Sequence, residues 1–215
     1  MTRSVPMKEA LSHLVRELID VGAAAVHRGL AIASGGNLSA RLPGGDRFVV
    51  TGTGTWLDRL TEDDFSVMSL GGAVESGAAS PSSEWKLHSR TYRVRDDVNA
   101  VIHVHPQHSV LLDALGHEIR LITLDHAYYV RSVGRTPYYP NGSDELADSA
   151  AEEALSHDCI VLSHHGCSAL GPSISMAFRR ALNLEEAATQ TYRALVLGDT
   201  TTTFPPEAME ALHHQ

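Results

Sequence analysis

Apolar residues recur at three- and four-residue steps at the start of the chain, at Leu11, Leu14, Val15, Leu18, Ile19, Val21 and Ala25, with Lys8, Arg16, Glu17 and Asp20 among them. This period places the apolar side chains on one face and predicts an amphipathic helix over 7–28. The pattern then changes. Residues 34–41 read as a glycine turn feeding a strand, Pro43-Gly44-Gly45 as the next turn, and Arg47-Phe48-Val49-Val50-Thr51 as a second strand, so the spacing predicts a hairpin. A second glycine loop, Thr51-Gly52-Thr53-Gly54, precedes an alternating third strand over 65–70. After the small, turn-like stretch 77–81, Ser82 or Ser83 can cap a helix reaching about 95, with Glu84 in its first turn. Residues 99–105 and 159–163 form short apolar runs that read as buried strands, while 107–115, 144–156 and 173–197 read as helices. The segment 119–139 fits a strand or a loop. No repeat or low-complexity tract interrupts the order, and residues 1–215 are expected to form a single α/β domain with a central, mainly antiparallel sheet flanked by helices.

Composition narrows the function. Against 26 Asp+Glu the chain carries 17 Lys+Arg, a net charge of −9, which offers no electrostatic footprint for a polyanionic backbone. Nucleic acid is not an expected partner. The apolar runs, such as 23–26 and 159–162, fall far short of the ~18 residues of a membrane span, and the N-terminal segment is amphipathic rather than signal-like. The expectation is a soluble cytoplasmic protein without a membrane partner. Two cysteines, Cys159 and Cys167, are too few and too near one another for a disulfide framework and read as reduced thiols. Thirteen histidines are the unusual number, because neutral imidazole is the commonest metal ligand.

Within a predicted strand, His103-Val104-His105 presents two imidazoles on one face, because alternate side chains point the same way. Hydrogen-bonded core or surface histidines are the alternative. At the end of another strand, Ser163-His164-His165-Gly166 supplies neighbours that face opposite ways, so one of the two histidines can join the pair. Three histidines would match the three protein ligands and one open position of catalytic zinc. Glu84 is either a helix-start carboxylate favoured by the macrodipole or, close to a dication, a ligand or proton shuttle. Three small turns, Gly36-Asn37, Thr53-Gly54 and Ser82-Ser83, are ordinary turns taken singly. Together they offer the N–H groups, hydroxyls and helix N-terminus that hold a phosphate monoester without a Walker loop. Neither GxxxxGK[ST] nor a convincing GxGxxG is present, which argues against a nucleotide.

Five strings in order, Gly36-Asn37-Leu38-Ser39-Ala40-Arg41, Val50-Thr51-Gly52-Thr53-Gly54, Pro81-Ser82-Ser83-Glu84-Trp85-Lys86-Leu87-His88, Ala100-Val101-Ile102-His103-Val104-His105 and His164-His165-Gly166, closely resemble the class II aldolase/adducin family, and most of all its fuculose-phosphate-aldolase branch. The resemblance runs from about 11 to 198. It implies the family's flanked, mainly antiparallel sheet; zinc, or another divalent transition metal in its place, held by His103, His105 and His165; and Glu84 as acid/base and additional metal ligand. It also implies a substrate phosphate at Gly36, Asn37, Thr53, Gly54, Ser82 and Ser83. The implied reaction is zinc-dependent, reversible cleavage of a ketose 1-phosphate, such as fuculose 1-phosphate, to dihydroxyacetone phosphate and an aldehyde through a metal-stabilised enediolate. The implied assembly is a homotetramer with active sites at subunit interfaces. The chain departs from the pattern at Ala33-Ser34, where the family often has Gly-Thr, and in a short tail after Thr200. Tyr128 and Tyr129 are candidates for a tyrosine lent to a neighbouring site, or are ordinary strand aromatics. Alternatives on the same fold are a keto acid phosphate decarboxylase; a pentulose-phosphate 4-epimerase, whose branch usually has aspartate in place of Glu84; and a non-catalytic adducin-like binding module, which lacks the metal histidines. A thiol enzyme built on Cys159 or Cys167 is a further alternative, although Cys159 reads as a core residue.

Overall fold

The structure is a computed structural model describing residues 4–77 and 80–212. The helical period at the start of the chain produces α1 (Ser4–His27), and the glycine turn releases the chain into the hairpin of β1 (Asn37–Arg41) and β2 (Arg47–Thr51). A third strand, β3 (Phe65–Ser69), is followed by β4 (Val74–Gly77). Then come α2 (Trp85–Val94), β5 (Ala100–Val104) and α3 (Gln107–Ala114). A single π-helical turn, His126–Val130, leads to β6 (Val133–Thr136). The chain continues through α4 (Asp144–Ala154), β7 (Cys159–Leu162), β8 (Gly166–Gly171), α5 (Ile174–Val196) and α6 (Pro206–Leu212). Serines start α4 and α5, where Ser143 Oγ accepts from Leu146 N at 3.1 Å and Ser173 Oγ from Met176 N at 3.2 Å. Each hydroxyl satisfies an N–H that the helix itself cannot.

The strands form one eight-stranded sheet in the order β4-β3-β2-β1-β5-β8-β7-β6. The β6–β7 pair is parallel and the other neighbours are antiparallel, a mixed, mainly antiparallel sheet as expected. Alternation decides what each face buries. On β5, Ala100, Ile102 and Val104 pack into a cluster with Val15, Leu18 and Val21 of α1 and Ala177 and Ala181 of α5. Val101 turns the other way, into a cluster with Leu87 and Tyr92 of α2 and Leu146 and Ala150 of α4. Two helical layers thus enclose the sheet, and β5 is buried along its whole length. His103 shares the parity of Val101 and therefore lies on the α2 side.

The expected elements differ from the observed ones in five places. Strand β4 went unread because all four of its residues are exposed and no apolar alternation marks it. Strand β8 follows directly on 163–165, which form a turn joining two strands rather than a strand end. The ambiguous 119–139 holds the π-turn and β6. The tail carries α6 and is tied back by Phe204 N donating to the Leu121 carbonyl at 2.6 Å. Finally, α2 begins at Trp85, so Glu84 is its N-cap rather than a first-turn residue; Ser82 Oγ accepts from the Glu84 N–H at 3.2 Å. Among the described residues, no helix is long and apolar enough to cross a membrane.

Candidate active site

His103 is central to this part of the sheet, with Asn37 of β1 opposite it on one side and Ser168 of β8 on the other. His105 lies just beyond the end of β5, where its N–H donates to the Leu30 carbonyl at 3.0 Å. His165 enters from the β7–β8 turn, and Glu84 from the start of α2. The three imidazole centroids form a nearly equilateral triangle of 4.9, 5.0 and 5.0 Å. Ligand atoms of Glu84, His103, His105 and His165 all lie within 4.8 Å of one another. His164 does not join them. A left-handed backbone at that residue (φ 55°) separates the two neighbours, so turn geometry, not strand alternation, selects His165.

The donor set fits a cation. His103 Nδ1–H donates to the Cys167 carbonyl at 3.1 Å, so a neutral His103 aims a bare Nε2 at Glu84 Oε2, 3.1 Å away, and at His105 Nε2, 3.0 Å away. His165 Nε2 lies 3.4 Å from Glu84 Oε1. Facing lone pairs repel unless a proton or cation sits between them, and nitrogens bound tetrahedrally to zinc at ~2.0–2.1 Å are themselves about 3.3 Å apart. Glu84 Oε1 is buried without a hydrogen-bond partner, a cost that ligation or protonation would remove.

Electrostatics keep two of the imidazoles, those of His105 and His165, in the ligating form. Burial, reinforced by the neighbouring rings, pushes His105 down to about 3 and His165 to about 4. For Glu84 burial opposes the charge, but positive charge on the adjoining His103 and His165 rings when they are protonated, with the Asn37 amide, outweighs it and holds the carboxyl well below the usual range. Space is as constrained as charge. A Cβ on Gly166 would lie 2.5 Å from His105 Cδ2 and 2.6 Å from the Val104 carbonyl, and one on Gly36 2.7 Å from the His103 carbonyl. Glycines thus let two backbone segments pass directly behind the imidazoles.

The three small turns gather beside this cluster. A bridge between Gly52 and Pro81, with Thr53 N donating to Ser80 O and Ser82 N to Thr51 O at 2.9 Å each, lays the Thr53-Gly54 turn along Ser82-Ser83. Thr53, Gly54 and Ser83 are exposed. Asn37 behaves differently, because its side chain is buried and already engaged, with Nδ2 donating to Glu84 Oε2 at 2.9 Å and Oδ1 facing His88 Nε2 at 2.5 Å. Its amide is therefore tied to the carboxylate rather than open to a phosphate.

Sequence reasoning also passed over Asp113. This buried carboxylate on α3 accepts from Ser163 Oγ at 2.9 Å and from His164 N at 3.1 Å, bracing the turn that carries His165, and pairs with Arg135 at 2.5 Å. A lone aspartate in a helical pattern gives no local signal of that role. Neither thiol is part of the site. Burial pushes Cys159 up to about 12 and Cys167 well above its ordinary value, and what Cys167 contributes is its carbonyl.

The pattern of the Class II Aldolase and Adducin N-terminal domain matches residues 16–192. An L-fuculose phosphate aldolase of Methanocaldococcus jannaschii is 37% identical over 79% of this chain and 91% of its own. A 3-oxo-tetronate 4-phosphate decarboxylase of Haemophilus influenzae is 31% identical over 80% and 83%. The solved structure of an L-fuculose 1-phosphate aldolase superposes with a TM-score of 0.88 at 30% identity, over 94% of this chain and 95% of that one. With the fold and the histidine–glutamate cluster in agreement, the chain belongs to the class II aldolase and adducin family, as an enzyme of its lyase type.

Proposed function

We propose that the protein is a zinc-dependent aldolase that reversibly cleaves a ketose 1-phosphate, such as fuculose 1-phosphate, to dihydroxyacetone phosphate and an aldehyde. The observation that carries this reading is the convergence of three imidazole nitrogens and an unpartnered buried carboxylate oxygen on one point, beside small turns in which Thr53, Gly54 and Ser83 are exposed. In it, His103, His105 and His165 hold the ion, and Glu84 is acid/base and an additional ligand. A divalent ion in that place supplies positive charge to substrate oxygens as the anion develops on C–C cleavage. The three neutral imidazoles leave its charge undiminished. Glu84 Oε1 takes a proton from the dihydroxyacetone carbon in the condensing direction and returns it in the cleaving direction. The turns at Gly36, Asn37, Thr53, Gly54, Ser82 and Ser83 hold the phosphate, and binding energy from this non-reacting end orients the reacting one. Residues 1–215 act as one domain of a cytoplasmic homotetramer with sites at subunit interfaces.

A second reading, decarboxylation of a keto acid phosphate, is supported by the likeness to the Haemophilus influenzae decarboxylase. Loss of a carboxylate leaves the same kind of anion and would use the same residues. Metal analysis of the purified protein, followed by a coupled assay for dihydroxyacetone phosphate over a panel of ketose 1-phosphates, separates the two. About one zinc per chain with release from a panel member supports the aldolase. Zinc with carbon dioxide release from a keto acid phosphate, and none of the triose phosphate, would replace it with the decarboxylase.

A further inference from the structure

A line of buried polar side chains runs back from Glu84 through Asn37, and three of its members, Ser39, His88 and Tyr92, have no part in the reaction above. Asn37 Oδ1 faces His88 Nε2 at 2.5 Å, His88 Nδ1 faces Ser39 Oγ at 2.6 Å, and Ser39 Oγ faces the Tyr92 hydroxyl at 2.6 Å. Ser39, His88 and Tyr92 are wholly buried and Asn37 nearly so. Four hydrogen bonds in series thus connect Tyr92, one turn along α2 from His88, to the carboxylate at the N-cap of that helix.

The direction of every bond follows from its last member. A carboxylate only accepts, so Asn37 must turn its NH2 to Glu84 Oε2 and its carbonyl oxygen to His88. An amide oxygen also only accepts, so His88 must carry its proton on Nε2. The bare Nδ1 then takes the Ser39 proton, and Ser39 Oγ, its own proton spent, accepts from Tyr92. Burial favours the required uncharged forms, pushing His88 down to about 3 and holding the Tyr92 phenol above its ordinary range. The opposite tautomer of His88 would set a ring lone pair against the Asn37 oxygen. Turning the amide over to relieve that would place its oxygen against the carboxylate.

We propose that Tyr92, Ser39, His88 and Asn37 form a one-way chain of donors that holds Glu84 by Oε2 and leaves Oε1 free, with His88, locked in its Nε2–H tautomer, as a positioning residue of the site. The inference rests on Glu84 serving the metal site as proposed above. It adds three residues that never touch metal or substrate, and it gives a reason for a histidine and a tyrosine on the buried face of α2 where two apolar side chains would pack.

The chain is tested first without substrate. In protein labelled with 15N-histidine, metal-free and zinc-loaded, the His88 signal, assigned by its loss in His88→Met or in His88→Gln, should show Nε2 protonated and Nδ1 bare at neutral pH. A proton on Nδ1 overturns the chain. Titration with Zn2+ against a competing chelator should then find His88→Met binding zinc about 10- to 100-fold more weakly, the usual cost of losing an outer-shell partner. The same variant should lower kcat by a similar factor while KM for the phosphorylated substrate changes little, because the phosphate turns are untouched. His88→Gln, whose amide can still donate to Asn37, should recover most of both losses. A folded His88→Met with native zinc affinity and native kcat overturns the proposal, and should that variant not fold, the tautomer in the native protein decides. Tautomer and zinc affinity are read without turnover, so a chain that passes these tests but cleaves no ketose phosphate counts against the reaction and not against the donor chain.

Discussion

At Gly166 a single methyl group would collide with the His105 ring and the Val104 carbonyl and crowd His103 at 3.1 Å. Neither the ring of His105 nor the backbone of β5 can yield without moving the other ligands, since His103 is pinned through Cys167. Gly166→Ala is therefore expected to cost about 1–3 kcal/mol, the usual penalty for overpacking, and to weaken zinc binding at least tenfold. Denaturant unfolding and chelator competition measure the two effects, and native zinc affinity in this variant would show that the glycine does not shape the site. Glu84→Gln tests the carboxylate with almost no change of shape. It should retain zinc through the three histidines and lose about 10²–10⁴ in turnover, the range of a positioned acid/base group; turnover within a few-fold of native would move the proton transfer to another residue. The histidines and Glu84 were legible as residues because chemistry restricts which side chains can ligate an ion. The role of the glycines was legible only as part of a motif, since a missing side chain has meaning only against what would fill its space.

Elements carry these residues to one place by different means, and the β7–β8 turn is the least regular of them. Its left-handed residue is a histidine rather than a glycine, φ 55° at His164, and it is held by Asp113 reaching in from α3. Asp113→Ala would leave the buried Ser163 hydroxyl and the His164 N–H without their acceptor, at about 1–3 kcal/mol, and would loosen His165. Arg135→Ala should cost less, about 0–1 kcal/mol, because the Arg135 side chain is 58% exposed. Thermal unfolding of the two variants with zinc titration checks the order, and a larger loss from Arg135→Ala would mean that the ion pair, not the turn, is what Asp113 serves. Helices with a clear 3.6-residue stripe, and strands bounded by glycine, could be read along the chain. Strand β8 could not, because its six residues, Gly-Cys-Ser-Ala-Leu-Gly, are buried on both faces and show no alternation. The π-turn at 126–130 has no local signature either, and is packed against α5 by Val130 and Leu184.

For the whole molecule, three imidazoles, one wholly and two partly buried, make stability depend on pH. His88 and His105 are pushed to about 3 and His165 to about 4, each by burial first, against a model-peptide value of about 6.5. Below that value the unfolded chain takes up protons that the fold refuses, so the metal-free protein should lose stability as pH falls from about 6.5 towards 3–4, by up to about 1.4 kcal/mol per pH unit for each histidine. Glu84, held low in the fold, adds to the same loss below the ordinary carboxylate range. Urea midpoints between pH 7 and 5 test this, and a midpoint that stays flat or rises on acidification would show that the histidines are not buried neutral. The same burial means that zinc uptake at pH 7 should release few protons, which calorimetry in buffers of different ionisation enthalpy can count. Local patterning by itself determined the order of most elements, the two-sided burial of β5 and the residue types able to bind a metal, because periodicity and side-chain chemistry belong to single segments. The family resemblance already implied His165 of the 164–165 pair, and the turn supplies the reason; tertiary structure alone decided that Glu84 meets the site from a helix N-cap and that Asn37 is bound to the carboxylate. Those facts depend on strand register and on the meeting of segments 47 to 81 residues apart, and no local pattern encodes that distance.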